Sequence, residues 1–249
     1  MKIGISAFAS AALLAIAIVS PASATVVYDT DLDSPDGGIT PGWFNGTGNP
    51  NGGFTVDNES IGNGSVQLGL RVKLRQDPNV IHPVGNVYTA PLGLQNPTHG
   101  LWNWEFSINL GDSGLTLGDL TTAILAVQKN GGPTETIDVL SFFDDNSYFD
   151  PGLGAVVTGS TGYDYSGDTE AQNSENTLFP IFSPGFLDVD KAATYVFTLV
   201  IGTQAGSIAK DQIVVNTVPE PASLALLGTG LAGMFAASRR RNASRRKFD

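Results

Sequence analysis

The sequence has no cysteine, two histidines, and 13 lysines and arginines in 249 residues. Each shortage excludes something. Without cysteine there is neither a disulfide framework nor a thiolate nucleophile, so the chain must fold on its own apolar core. With 24 acidic residues against 13 basic ones and a net charge of −11, no basic stripe is left to neutralise phosphates. Nucleic acid is therefore not an expected partner. Charged residues are only 15% of the chain, while glycine reaches 30 and proline 14. That composition is wrong for a coiled coil or a helical bundle. Hydrophobic residues at 41% are enough for a buried core, which argues against wholesale disorder.

The two ends read as addresses. Lys2 precedes an apolar run over 7–19, followed by Ala22-Ser23-Ala24. A positive start, a short apolar stretch and a small-x-small site form a secretory signal peptide, with Ala22 and Ala24 flanking the point where signal peptidase cuts. The run of 13 residues is too short to cross a hydrocarbon core of about 30 Å at about 1.5 Å per residue. The expected division is a signal peptide over 1–24, handled by the general secretion machinery, a body over 25–217 and a terminal segment over 218–249.

That terminal segment has three parts in order: Pro219-Glu220-Pro221, an apolar stretch over 222–237, and Arg239-Arg240-Arg241. The prolines withhold backbone donors and keep the tripeptide extended, presenting Glu220. The apolar stretch is expected to form a single transmembrane helix of about 24 Å, with the arginines as a basic membrane stop on the cytoplasmic side. A plain tail anchor needs only the last two parts. All three together resemble the PEP-CTERM sorting signal, with Pro219, Glu220 and Pro221 matching its tripeptide and Arg239, Arg240 and Arg241 its basic end. The resemblance implies export by a Gram-negative bacterium that makes exopolysaccharide, and processing by a membrane-embedded exosortase. It also implies transient anchoring in the inner membrane, then release to the cell surface or a biofilm matrix. Residues 242–249 run past the usual ending of that signal.

The body has 6 basic and 22 acidic residues, so it should be soluble and repelled by anionic polymers. Period-two alternation marks its strands. Val66, Leu68, Leu70, Val72 and Leu74 alternate with polar or small residues, as do Trp102, Trp104, Phe106, Ile108 and Leu110. Tyr195, Phe197, Leu199 and Ile201 lie on a run that is apolar or β-branched on both faces, which suits a central strand. Shorter runs at 26–28, 124–128, 137–143, 155–158, 178–182 and 208–215 add candidate strands, and 117–126 is the best helical candidate. Asp36-Gly37-Gly38, Asn51-Gly52-Gly53, Asn63-Gly64 and Asn130-Gly131-Gly132-Pro133 read as turns. The fold class expected is all-β, an antiparallel, jelly-roll-like β-sandwich. Residues 67–75, 102–109 and 171–174 also resemble segments of a group of PEP-CTERM proteins of unassigned function, which implies a shared β-rich ectodomain and no known activity.

Catalytic chemistry is hard to find. His82 and His99 sit beside Pro83 and Gly100 in loop-like positions, and no Gly-x-Ser-x-Gly is present. Glu105 lies next to Trp102 and Trp104, the ingredients of a sugar cleft, but on the polar side of its strand, where a solvated charge is expected. Asp29, Asp31 and Asp33, the Asp144-Asp145-Asn146 turn and residues 164–170 are rich in the hard oxygens that attract calcium. Their spacing fails the EF-hand pattern, so no metal and no cofactor are expected. Asn45, Asn58 and Asn63 match the N-glycosylation pattern, an incidental match in a bacterial chain. The leading expectation is a non-catalytic exported surface or matrix protein associated with exopolysaccharide. The alternative is a carbohydrate-binding, lectin-like module assisted by calcium, its aromatic row drawn from Trp43, Phe44, Tyr148, Phe149, Tyr163 and Tyr165. A polysaccharide-degrading enzyme is the third reading.

Overall fold

The computed structural model describes residues 25–46, 49–61 and 64–219. Ala22, Ala24, Glu220, Pro221, Arg239, Arg240, Arg241 and the expected transmembrane helix lie outside the described residues. Fourteen strands form within them: β1 (Thr25–Thr30), β2 (Phe54–Ile61), β3 (Gly64–Leu74), β4 (Val87–Pro91), β5 (Leu94–Asn96), β6 (His99–Gly100), β7 (Trp102–Asn109), β8 (Thr122–Lys129), β9 (Thr134–Asp138), β10 (Ser147–Asp150), β11 (Ala155–Thr158), β12 (Glu170–Asn176), β13 (Thr194–Thr203) and β14 (Gly206–Val218). They make a seven-stranded sheet in the order β1-β2-β3-β7-β12-β10-β11, a five-stranded sheet in the order β4-β14-β13-β8-β9, and a small β5–β6 ribbon. Neighbours are antiparallel except β4 and β14, which run parallel.

The alternation read from the sequence decides which face is buried. Val66, Leu68, Leu70 and Val72 of β3 and Trp102, Trp104, Phe106 and Ile108 of β7 share one core cluster with Leu125, Val127, Tyr195, Phe197, Leu199, Ile201, Ile213 and Val215 of the other sheet. The Trp104 ring lies 6.1–6.4 Å from those of Phe143, Phe182, Phe197 and Phe106. Such area burial is the main favourable term in folding. At the β8–β9 turn Asn130 and Gly131 take φ of 51° and 69°, the paired positive values of a type I′ turn.

Several expected elements differ. The helical candidate at 117–126 is one 3-10 turn, Leu117–Asp119, followed by β8. The burial of Ala123, Leu125 and Val127 follows period two rather than 3.6. The run at 137–143 leaves its strand at Asp138, whose carboxylate accepts from the Leu140 and Ser141 amides and turns the chain. The run at 178–182 is a series of turns through Pro180, a residue without an amide to give a ladder.

Residues 31–46 and 49–53 do not fold as strands but lie as a strap over the outer face of the seven-stranded sheet. Leu32 and Trp43 join Phe54 and Val56 in a second, smaller core there. Gly69 makes the close approach feasible. A Cβ at that position would come within 2.5 Å of Leu32 Cδ2.

Candidate functional site

The strap buries a polar layer that the sequence places at the surface. Arg71 faces Glu105 across the β3–β7 ladder, and the Arg71 Nε donates to Glu105 Oε2 with both side chains 1% exposed. Arg71 Nη1 donates to the Pro50 and Gly52 carbonyls of the strap, and its guanidinium lies 4.9 Å from the Trp43 ring centroid and 4.1 Å from that of Phe54. Ser174 Oγ donates to the other oxygen of Glu105 at 2.7 Å. Glu105 is thus a buried, paired carboxylate and not the solvated charge expected. Trp102 and Trp104 point to the opposite face, so the three do not form a sugar cleft. Nearby, Gln172 donates to Glu170 at 2.6 Å and accepts from the Phe44 amide at 2.9 Å. Burial holds the Glu170 carboxyl well above its ordinary range.

Most of the carboxylates in the oxygen-rich loops are committed to protein donors. Asp29 meets His82 at 2.7 Å, Asp33 accepts from Gln67 at 2.8 Å and Asp36 accepts from the Thr40 amide at 2.7 Å. Asp144 takes the Thr161 hydroxyl, Asp145 the Asn173 amide and Asp164 the Ser166 amide. Among the described residues no group of three or more acidic, histidine or cysteine side chains is placed to hold a metal ion. His99 contacts Asn96, Thr98 and the Phe179 ring, separately from the His82–Asp29 pair. Asn45 is buried, its amide donating to Ser147 and the Gln172 carbonyl, so a glycan there would not fit.

The expected aromatic row is also mostly inside. Trp43, Tyr148 and Phe149 are buried. Tyr163 and Tyr165 remain half-buried and stack on Tyr148 at 5.3 and 5.4 Å, lining two adjoining clefts beneath the loop at 159–168.

At the other address, β14 stays hydrogen-bonded to its last residue. Val218 lies opposite Pro91, and its carbonyl accepts from the Leu92 amide at 2.8 Å. Pro219 follows at once and lines a shallow apolar cleft with Leu92, Leu94, Leu101 and Val189. Residues 217–241 match the family model of the PEP-CTERM protein-sorting motif. The chain carries a PEP-CTERM sorting motif. The match takes in Pro219, Glu220, Pro221, Arg239, Arg240 and Arg241, but not the body segments at 67–75, 102–109 and 171–174. No curated protein and no solved structure matches the chain. A PEP-CTERM motif implies an exported protein processed by exosortase during membrane passage.

Sequence reasoning missed the Arg71–Glu105 pair and the strap that covers it. One signal was present: Arg71 and Lys73 stand on a long, strongly apolar strand and Glu105 on another, opposite charges that pairing in register would bring together.

Proposed function

We propose that the exported body is a non-catalytic surface or extracellular-matrix protein that works in association with exopolysaccharide. The observation that carries this reading is the PEP-CTERM motif joined directly to β14, which makes the sandwich the cargo that exosortase handles. Further support comes from Glu105, the carboxylate beside the tryptophans, and from Glu170, buried near it. Glu105 and Glu170 are held by Arg71, Ser174 and Gln172 beneath the strap, in a structural role. After signal peptidase cuts behind Ala24, an apolar helix over 222–237 holds the precursor in the inner membrane with Arg239–241 inside. Exosortase then engages Glu220, and the body passes to the cell surface or matrix.

The test is Glu220→Ala in a host that has exosortase, followed by fractionation and mass measurement. The variant is expected to accumulate as a heavier, membrane-held precursor. Identical mass and location in wild type and variant would leave a simple tail anchor. A second reading, a lectin-like module, is favoured by the clefts at Tyr163 and Tyr165.

A further inference from the structure

We propose that the paired clefts beneath the loop at 159–168 bind a neutral saccharide, with Tyr163 and Tyr165 as the platform. The clefts enclose about 510 and 470 Å3 and share a wall that includes both tyrosines, Gly162 and Ser141. These volumes lie in the range of small-ligand sites, which pair aromatic surface with a few placed polar groups.

The platform is held by contacts within the protein. Tyr148 is buried at the base, and the planes of Tyr163 and Tyr165 lie at 27° and 10° to its ring. The Tyr148 hydroxyl accepts from Asn146 Nδ2 at 3.1 Å, and the Tyr163 hydroxyl donates to buried Asp168 at 3.0 Å. Ring faces fixed in this way lose little freedom on binding, which favours affinity. A sugar offers one apolar face of C–H groups and a rim of hydroxyls. The first suits a tyrosine ring and the second suits carboxylates and hydroxyls.

Charge selects the class of sugar. The lining has Asp138, Asp144 and Asp164 and no lysine, arginine or histidine. In a body that is acidic throughout, such a site repels a polyanion and accepts a neutral polyol. The proposal rests on the second, lectin-like reading of the body, and it needs no calcium.

The experiment uses the mature protein purified from a producing host. It is applied to a glycan array of neutral oligosaccharides (gluco-, galacto-, manno- and N-acetylglucosamine series), with oligogalacturonate as the anionic control, and hits are titrated by calorimetry. At least one neutral series is expected to bind, with unchanged affinity in the presence of a chelator. Affinity should fall at least tenfold in Tyr165→Ala and severalfold in Phe142→Ala, an exposed position in the second cleft. If Tyr165→Ala does not fold, Tyr165→Leu keeps the apolar bulk and removes the ring. Binding by no neutral oligosaccharide, binding only of the polyanion, or binding that survives loss of the ring would overturn the proposal. Shortening of a bound oligosaccharide over time would instead overturn the non-catalytic reading while leaving the site in place, and sorting is scored separately through Glu220→Ala.

Discussion

Arg71 and Glu105 form an ion pair sealed between a sheet and the strap laid across it, each side chain 1% exposed. Their opposition in the β3–β7 register puts the charges side by side, and the strap carbonyls of Pro50 and Gly52 satisfy part of the guanidinium. One arginine therefore links the two central strands to the covering segment. A buried pair of this kind specifies where the strap lies more than it adds stability, because both charges have given up water.

Removing one partner should be costly and removing both much less so. Arg71→Met leaves Glu105 buried without its cation, a loss of about 3–5 kcal/mol. Arg71→Met with Glu105→Leu replaces the pair by apolar groups and should recover most of that in chemical denaturation. A double variant no more stable than Arg71→Met alone would mean that the strap contacts, and not the pairing, carry the effect.

Gly69 gives a second handle on the same contact. A side chain there meets Leu32, and overpacking of this kind costs about 1–3 kcal/mol. Gly69→Val should loosen the strap before it unfolds the sandwich, so limited proteolysis should cut within 34–41 at a protein concentration and temperature where wild type resists. Equal resistance of the two proteins would show that the strap adapts around the extra methyls.

The sandwich was legible because β3 and β7 alternate apolar with polar or small residues along their length and β13 is a run apolar or β-branched on both faces. β12 was not, because Glu170-Ala171-Gln172-Asn173-Ser174-Glu175-Asn176 has a single apolar residue and reads as a loop. It becomes a strand because β7 and β10 supply ladders on both sides, a tertiary cause that no local pattern contains. The same limit hid the polar layer. Alternation tells which side chains share a face, and not whether a distant strap covers that face. The tyrosine platform was legible as residues and not as a place, since Tyr148 is separated from Tyr163 and Tyr165 by β11.

Glu175 points towards the core side of β12, opposite Trp104. Burial, with a smaller contribution from the charge of Asp145, raises its pKa from 4.5 to about 8. Burial also raises Asp57, Glu59, Glu170 and Asp211. A carboxyl raised in the folded state contributes stability that is complete below its unfolded pKa and lost as pH rises through the folded one. The melting temperature should therefore fall between about pH 5 and pH 9. Glu175→Gln, neutral throughout, should flatten that fall and melt several degrees higher than wild type at pH 9. A melting temperature that climbs across this range in wild type would contradict the assignment.

The joint between cargo and sorting motif predicts a kinetic effect. Val218 is the last residue of β14 and is still hydrogen-bonded, so Glu220 stands two residues beyond a paired strand. Two extended residues reach about 7 Å, which forces any enzyme that engages Glu220 close against the sandwich or requires the end of β14 to peel away from β4. Fraying of the Val218–Leu92 hydrogen bond is local and easier than global unfolding, so processing should proceed but be slowed by the folded body. Inserting six glycine and serine residues between Val218 and Pro219 adds up to about 20 Å of reach and leaves the motif intact. The insertion variant should be processed faster than wild type in pulse–chase, with the same final mass apart from the linker. Slower processing would reverse the argument, since it would mean that exosortase uses the Leu92, Leu94 and Val189 surface beside Pro219 as part of what it recognises.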